Sequence, residues 1–327
     1  MGILLIGIGL LSSCVGGYWV LVPIPRDSED TSPPSETGET GDTAEPDACA
    51  ESAVFDGDIS WPGEPLCGEA AITINGELNI RSDADDLGGL ACVCRVSGDV
   101  VIIGNTRLTT LDGLDGLTSV GGDTLLLGNT LLQDLSALSA LAGIEGTLHL
   151  ERNGLLARLD GLESLARVGG VLLVDNNSLR SLGGLSGLAD VDGALFLKGN
   201  RQLTDLTGLT SLLRLAGPLR IETSALVDLS GLEGLGTIAD GSIRIDENQE
   251  LTSLDGLSGV RVIAQDLALD RNPALVDVSA LSGVTAVGIN FTVTDNRALP
   301  TGDVFALVEA IGEENIGATI TISGNAP

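Results

Sequence analysis

Residues 191–215 read VDGALFLKGNRQLTDLTGLTSLLRL. Small or apolar residues stand at alternate places before Asn200, at Val191, Gly193, Leu195 and Leu197, and leucines stand at every third place after it, at 203, 206, 209, 212 and 215. Period two describes a short strand with one buried face. Period three fits neither an α-helix nor a flat sheet. It suits a coil of about three residues per turn, near 3₁₀ or polyproline geometry, with every third side chain inward.

The pattern recurs along the chain. Asparagines fall at Asn105, Asn129, Asn153, Asn177, Asn200, Asn248, Asn272 and Asn296, with gaps of 24 or 23 residues and one of 48 whose midpoint is Ser224. Leucine-rich ladders follow them, as at Leu108, Leu111, Leu114 and Leu117, and again at Leu251, Leu254 and Leu257, except after Asn296, where the ladder breaks at Leu299. One slip occurs: the strand reads Val168, Gly170, Leu172, Val174 toward Asn177, whereas Leu179, Leu182, Leu185 and Leu188 are phased from Asn176. A coil of this kind cannot bury its leucines alone, so neighbours must stack. The side-chain amide of each asparagine is placed to satisfy backbone groups at the bend, and stacked copies form a ladder.

The same phase extends outward to Ile74, Gly76, Leu78 and Ile80, with Asp83 in the asparagine place, and to Ile320, Ile322 and Asn325. The expected fold is a repeat solenoid, a right-handed β-helix or leucine-rich-repeat-like superhelix of about eleven coils with a 24-residue period and one parallel sheet. At about 4.8 Å per strand that sheet runs on the order of 50 Å. Helical spacing over Gly302–Ile311, with Asp303 as its cap, predicts a short helical cap at the carboxyl end.

Composition narrows the function. Of 327 residues, 46 are acidic and 16 basic, a formal charge of -30, so nucleic acid is excluded as a partner. The single lysine, Lys198, lies in Lys-Gly-Asn and makes no phosphate loop, and the single histidine, His149, excludes multi-histidine metal sites. Aromatic residues are 2% of the chain, too few for an aromatic-lined small-molecule pocket. No cofactor and no metal is expected.

The amino terminus points to export. Residues 2 to 13 are apolar over the length of a secretory signal, and Leu11-Ser12-Ser13-Cys14 resembles a bacterial lipobox, which implies a signal peptide over 1–13 and a lipid anchor on Cys14. Because the residue after the cysteine is Val15 rather than Asp, that resemblance implies the outer membrane. Apolar residues continue through Val22, so an uncleaved membrane-spanning helix with an extracytoplasmic domain is the alternative. Residues 14–47 then hold the lipidated terminus and an acidic tether rich in Ser, Thr, Pro and Gly, which has too little apolar surface to order. Cys49, Cys67, Cys92 and Cys94 are disulfide candidates with three pairings open, and the spacing of Cys92 and Cys94 sends each to a different partner. Residues 48–71, with Phe55 and Trp61, are expected to form a disulfide-pinned amino-terminal cap, and residues 72–327 the solenoid with its carboxyl cap.

The unit Val/Ile-x-Gly-x-Leu-x-Leu-x-x-Asn with leucines at every third position after it resembles the receptor L-domain, over about Ile72 to Asn325. Ordinary leucine-rich repeats share Leu-x-Leu-x-x-Asn but place a leucine three residues before the first strand leucine; here Val191 stands four before Leu195. The resemblance implies an extracellular recognition module without catalysis, and the absence of kinase and long cysteine-rich regions leaves receptor signalling behind.

Outward strand positions are where such a fold binds. One column reads Asn79, Val101, Leu125, His149, Leu173, Phe196, Arg220, Arg244, Ala268, Thr292 and Thr321; the next includes Ile103, Leu127, Glu151, Asp175, Lys198, Glu222, Asp246 and Asp270. Apolar side chains crowd the early coils, where they are either exposed as a partner site or covered by the disulfide-pinned segment. Leu173, Phe196, Arg220 and Arg244 are the partner-binding candidates. His149 reads as a lone surface histidine, and the Asp residues of Leu-Asp-Gly-Leu turns lack the nonapeptide spacing of calcium-binding β-rolls. The expected function is non-catalytic recognition or adhesion at the cell surface, with a protein or glycan partner and a membrane anchor. The alternative is a passive structural spacer of the envelope. A carbohydrate-active enzyme would need paired carboxylates, and the column of Asp175, Asp246 and Asp270 offers no evident mate.

Overall fold

The computed structural model describes residues 12–15, 18–21, 49 and 52–327, except 69, 82, 83 and 239. The acidic tether, Asp83 and residues 1–11 of the expected signal peptide lie outside the described residues. The chain divides into two units, residues 1–45 and 46–327. In the first, Ser12–Val15 pairs antiparallel with Tyr18–Leu21, placing Cys14 opposite Trp19. No helix among the described residues is long and apolar enough to cross a membrane.

The second unit is a parallel β-solenoid. Each coil contributes to two ladders of strands. The long ladder includes Ile59–Trp61, Leu78–Arg81, Val100–Ile103, Thr124–Leu127, the ends of Gly143–Glu151 and Arg167–Val174, then Leu195–Lys198, Leu219–Glu222, Ile243–Asp246, Leu267–Asp270, Phe291–Thr294 and Ile320–Ser323. The short ladder runs beside it through pairs such as Asp190–Val191 and Arg214–Leu215. Gly143–Glu151 and Arg167–Val174 run through both ladders and join them into one sheet.

About nine turns keep the regular period, fewer than the eleven expected from the sequence. Hydrogen-bonded partners 24 or 23 residues apart mark those turns. At the ends the step changes to 19 and 22 residues and finally to 29. The outermost coils share the ladder but not the length of arc, so they extend the stack without extending the repeat.

The leucines of the period-three arc fill the interior. Leu203, Leu206, Leu209, Leu212 and Leu215 are buried, as are their counterparts in every regular coil. Where an arc reads Leu-Ser-Ala-Leu or Leu-Thr-Gly-Leu it makes a 3₁₀ turn, as at Ser136–Leu138 and Thr207–Leu209. Where it reads Leu-Asp-Gly-Leu the glycine takes a left-handed conformation instead, φ 106° at Gly161, and the turn keeps both leucines inward. At roughly 1.5–3 kcal/mol per buried aliphatic side chain, this layer is the main source of stability.

Buried asparagines cross-link the coils. Asn105 donates its backbone N–H to Oδ1 of Asn129 at 3.0 Å, and Asn129 does the same to Asn153. The amide Nδ2 of Asn129 donates to the carbonyl of Ile102 at 2.8 Å, and that of Asn153 to Leu126 at 2.7 Å. In the coil that carries both Asn176 and Asn177, Asn176 is the ladder member and Asn177 is exposed.

Both ends depart from expectation in detail. The helix spans Thr301–Ile311, so Asp303 lies inside its first turn and does not cap it. The Thr301 N–H and hydroxyl instead donate to the carbonyl of Ala326 at 2.9 and 2.6 Å. Its face of Val304, Leu307, Val308 and Ile311 is buried, and the helix packs on the turn Ser279–Gly283. At the amino end Trp61 is buried and its Nε1 donates to the carbonyl of Asp86 at 2.8 Å, but Phe55 is 40% exposed and joins no core. Ala53–Asp56 and Ile59–Trp61 pair in parallel with Ile72–Asn75 and Leu78–Arg81, so the expected cap supplies the first rungs of the ladders.

Candidate functional site

Register fixes which side chains the long ladder turns outward. Pairing Leu172 with Phe196, Phe196 with Arg220 and Arg220 with Arg244 makes one outward column. Leu173, a partner-binding candidate, is instead aligned with Leu197 and is fully buried, so Leu172 takes its place. Asp175 likewise leaves the second column: it sits past the strand at φ 53°, and Val174 aligns with Lys198. The reason is the 23-residue coil closed by Asn176. Counting five residues back from Asn176, as Leu195 stands from Asn200, marks Val171 as inward and would have located both.

The amino-terminal part of the face is apolar. Val101 is buried, while Ile103, Leu125, Leu127, Leu172 and Val174 are partly exposed. Residues 53–61 of the disulfide-pinned segment are rungs of the stack and not a lid over this column. His149 is 8% exposed and not a surface histidine, because Leu125 and Leu172 flank it in register. Its Nε2 lies 3.3 Å from a carboxylate oxygen of Glu151, whose other oxygen is 3.0 Å from Arg152. The His149 ring beside it, aided by the positive charge of Arg152, holds the Glu151 carboxyl below its usual range, although burial works the other way.

The middle of the face is aromatic and ion-paired. The Arg220 guanidinium lies 5.1 Å from the centre of the Phe196 ring, a cation–π contact. Glu222, Asp246 and Asp270 occupy consecutive rungs of the second column. Each has cationic neighbours: Lys198 at 3.1 Å and Arg220 for Glu222, Arg244 at 3.6 Å for Asp246, and Arg271 at 3.1 Å for Asp270. Asp246 is raised to about 6, chiefly by burial; Arg244 opposes the shift, and Glu222 and Asp270 reinforce it. The three carboxylates thus follow one another along the column, each beside at least one cation. Phe196 and Arg220 stand together as expected, Arg244 continues their column, and Leu173 does not belong to it.

The four cysteines close two bonds, Cys49–Cys94 and Cys67–Cys92, so Cys92 and Cys94 do take different partners. Such bonds persist in oxidising compartments. Elsewhere a cleft of about 380 Å³ lies between the carboxyl-terminal helix and the Ser279 turn, lined by Asp277, Ser279, Asp303 and Leu307 among others. The Asp277 carboxyl is lowered by hydrogen bonds from Ser279, the opposite of what a general acid requires. Among the described residues no three His, Cys, Asp or Glu side chains gather to hold a metal.

Fold and face together define a disulfide-pinned parallel β-solenoid with an apolar-to-charged column of outward side chains. Compared with known protein families and with curated proteins, the chain matches none.

Proposed function

We propose that this chain is a non-catalytic recognition or adhesion protein of the cell surface, similar in role to a receptor L-domain, that binds a protein or glycan through the outward face of the long ladder. The observation that carries the reading is the column Leu172, Phe196, Arg220 and Arg244. It puts partly exposed apolar, aromatic and guanidinium groups on one rigid sheet in a chain otherwise dominated by negative charge. A sheet face fixed by a stack of coils loses little entropy on binding, which favours recognition. The two disulfides support an extracytoplasmic setting, and the lipobox-like sequence ending at Cys14 supports a lipid anchor, with the outer membrane as the compartment.

Attachment of the purified protein to cells or extracellular matrix tests the reading. Phe196→Asp and Arg220→Glu are each expected to reduce attachment at least tenfold while circular dichroism and both disulfides stay unchanged. Equal attachment by these variants would favour the passive spacer. Mass spectrometry of the amino-terminal peptide tests the anchor, the expected species being a chain that begins at diacylated Cys14.

A further inference from the structure

The carboxyl-terminal helix, Thr301–Ile311, takes the place of an arc in its coil. Asn272 donates its N–H to Oδ1 of Asn296 before it, and Val287 bridges in parallel to Ile316 after it. The helix and the 3₁₀ turn Ser279–Gly283 therefore lie side by side and run in the same direction. An α-helix is wider than a 3₁₀ turn and rises less per residue, so the two do not close on each other. The cleft of about 380 Å³ is what remains between them.

Its lining is polarised. Val278 and Leu307 form a buried apolar floor, with Ala306 beside them on the helix. Asp277 precedes the 3₁₀ turn and Asp303 sits in the first turn of the helix, so both carboxylates stand at the end where the two elements begin. Ser279 holds Asp277 ionised, donating its backbone N–H to Oδ1 at 2.7 Å. The positive end of the helix offsets about half of one charge, and the rest is uncompensated, because no basic side chain lines the cleft. From 272 to 327 the chain has six acidic residues and one basic, Arg297, which lines a separate recess with Arg271. The other nearby cation, Arg261, lies against Gly283 beyond the opposite end and gives its Nη1 to the carbonyls of Ser258 and Val260.

An apolar floor leading to two carboxylates suits a cation carried on an aliphatic stem. Lysine and arginine have that form. Asp277, Ser282, Asp303, Ala306 and Ala310 are exposed, so the cleft is open along its rim and does not enclose a ligand as a small-molecule pocket does. We infer that it receives a lysine or arginine side chain from a partner polypeptide lying across the arc, with the stem on Val278, Ala306 and Leu307 and the cationic head at Asp277 and Asp303. A net charge of -30 draws such a partner in. The contact is on the arc side of the coils and makes no use of the long-ladder column.

Titration of the nitrogen-labelled full chain with the capped peptide Gly-Gly-Lys-Gly-Gly, followed by amide NMR, tests the inference. The amide signals of Ser279, Ser282, Ala306 and Ala310 are expected to move together to saturation. The same peptide with norleucine in place of lysine should bind about fivefold more weakly or worse. Asp303→Asn, which removes one of 46 acidic residues, should weaken binding about fivefold, a loss that diffuse attraction by the whole chain would not show. Ala306→Phe fills the cleft and should abolish binding with no change of charge. Phe196→Asp should leave it intact, which separates this site from the long-ladder face. Circular dichroism checks that each variant keeps its fold. Absence of any shift overturns the inference, as do shifts scattered over the acidic surface or binding that survives both cleft variants. So does n-butylammonium binding as tightly as the peptide, which would make the cleft a site for free alkyl cations.

Discussion

Ser224 gives its backbone N–H and its hydroxyl to one atom, Oδ1 of Asn248, at 3.0 and 2.6 Å. At other regular rungs an asparagine holds this place and does two further things. Asn200 accepts the N–H of Asn176 on its Oδ1 and sends its Nδ2 to the carbonyl of Leu173, at 3.1 and 2.7 Å. Serine has no amide to send. Ser224→Asn is therefore expected to extend the ladder, receiving the N–H of Asn200 and reaching the carbonyl of Leu197. The gain should be about 1 kcal/mol, read as a higher midpoint in denaturant unfolding at unchanged slope. A lower midpoint would show that the site is too tight for the longer side chain. The complementary change, Asn153→Ala, leaves buried backbone groups unpaired and should cost about 2–4 kcal/mol.

Asp246 makes stability fall with rising pH over a defined window. Its carboxyl titrates near 6 in the folded chain against an ordinary 3.8, because burial disfavours the charge. Between those values the native state holds a proton that the unfolded chain has released, so this group's contribution declines from about pH 4 to about pH 6 and is level above. Asp192 acts in the opposite sense at lower pH. Hydrogen bonds from Arg167 and Arg214 hold it down to about 2, so the stability it adds is present above pH 4 and is lost as pH falls toward 2. Exposure keeps that second contribution small. Asp246→Asn should raise stability at pH 7 by on the order of 2 kcal/mol and flatten the profile between pH 4 and 6. Urea unfolding of both proteins at four pH values checks it; parallel profiles would assign the slope to another group.

What the sequence showed and what it hid follow from the same physics. Asparagine and leucine recur because each has one buried place per coil, so the period, the asparagine ladder and the 3₁₀ character of the arc were readable from spacing. Leu173 was misplaced because Val171-Leu172-Leu173-Val174 is apolar throughout, and alternation carries no phase when both faces of a strand are apolar. Two adjacent asparagines then offered two registers; the leucines after them are phased from Asn176, which is also the one that is buried. The burial of His149 depends on Leu125 and Leu172, residues one coil away on either side. The cysteine pairing was not readable because it depends on how the first rungs seat against Cys92 and Cys94. Eleven coils became nine regular turns because strand pairing continues at the ends after the arc length has changed.

Glycine substitutions separate steric need from mere tolerance within one turn of the solenoid. A Cβ on Gly161 would sit 2.2 Å from the carbonyl oxygen of Leu135 in the preceding coil, at a φ of 106° that side chains rarely adopt. Neither rung can move aside without breaking the ladder on both sides, so Gly161→Ala should cost about 2–4 kcal/mol. Gly154, seven residues earlier, has no atom within 4 Å of the same added carbon and no positive φ. Gly154→Ala should fall within about 0.5 kcal/mol of the parent, with a small gain from the stiffer unfolded chain. Paired denaturation curves decide the matter. Equal effects at the two positions would mean that the coils are free to slide apart at Leu135, and that the close contact between arcs is not what holds their spacing.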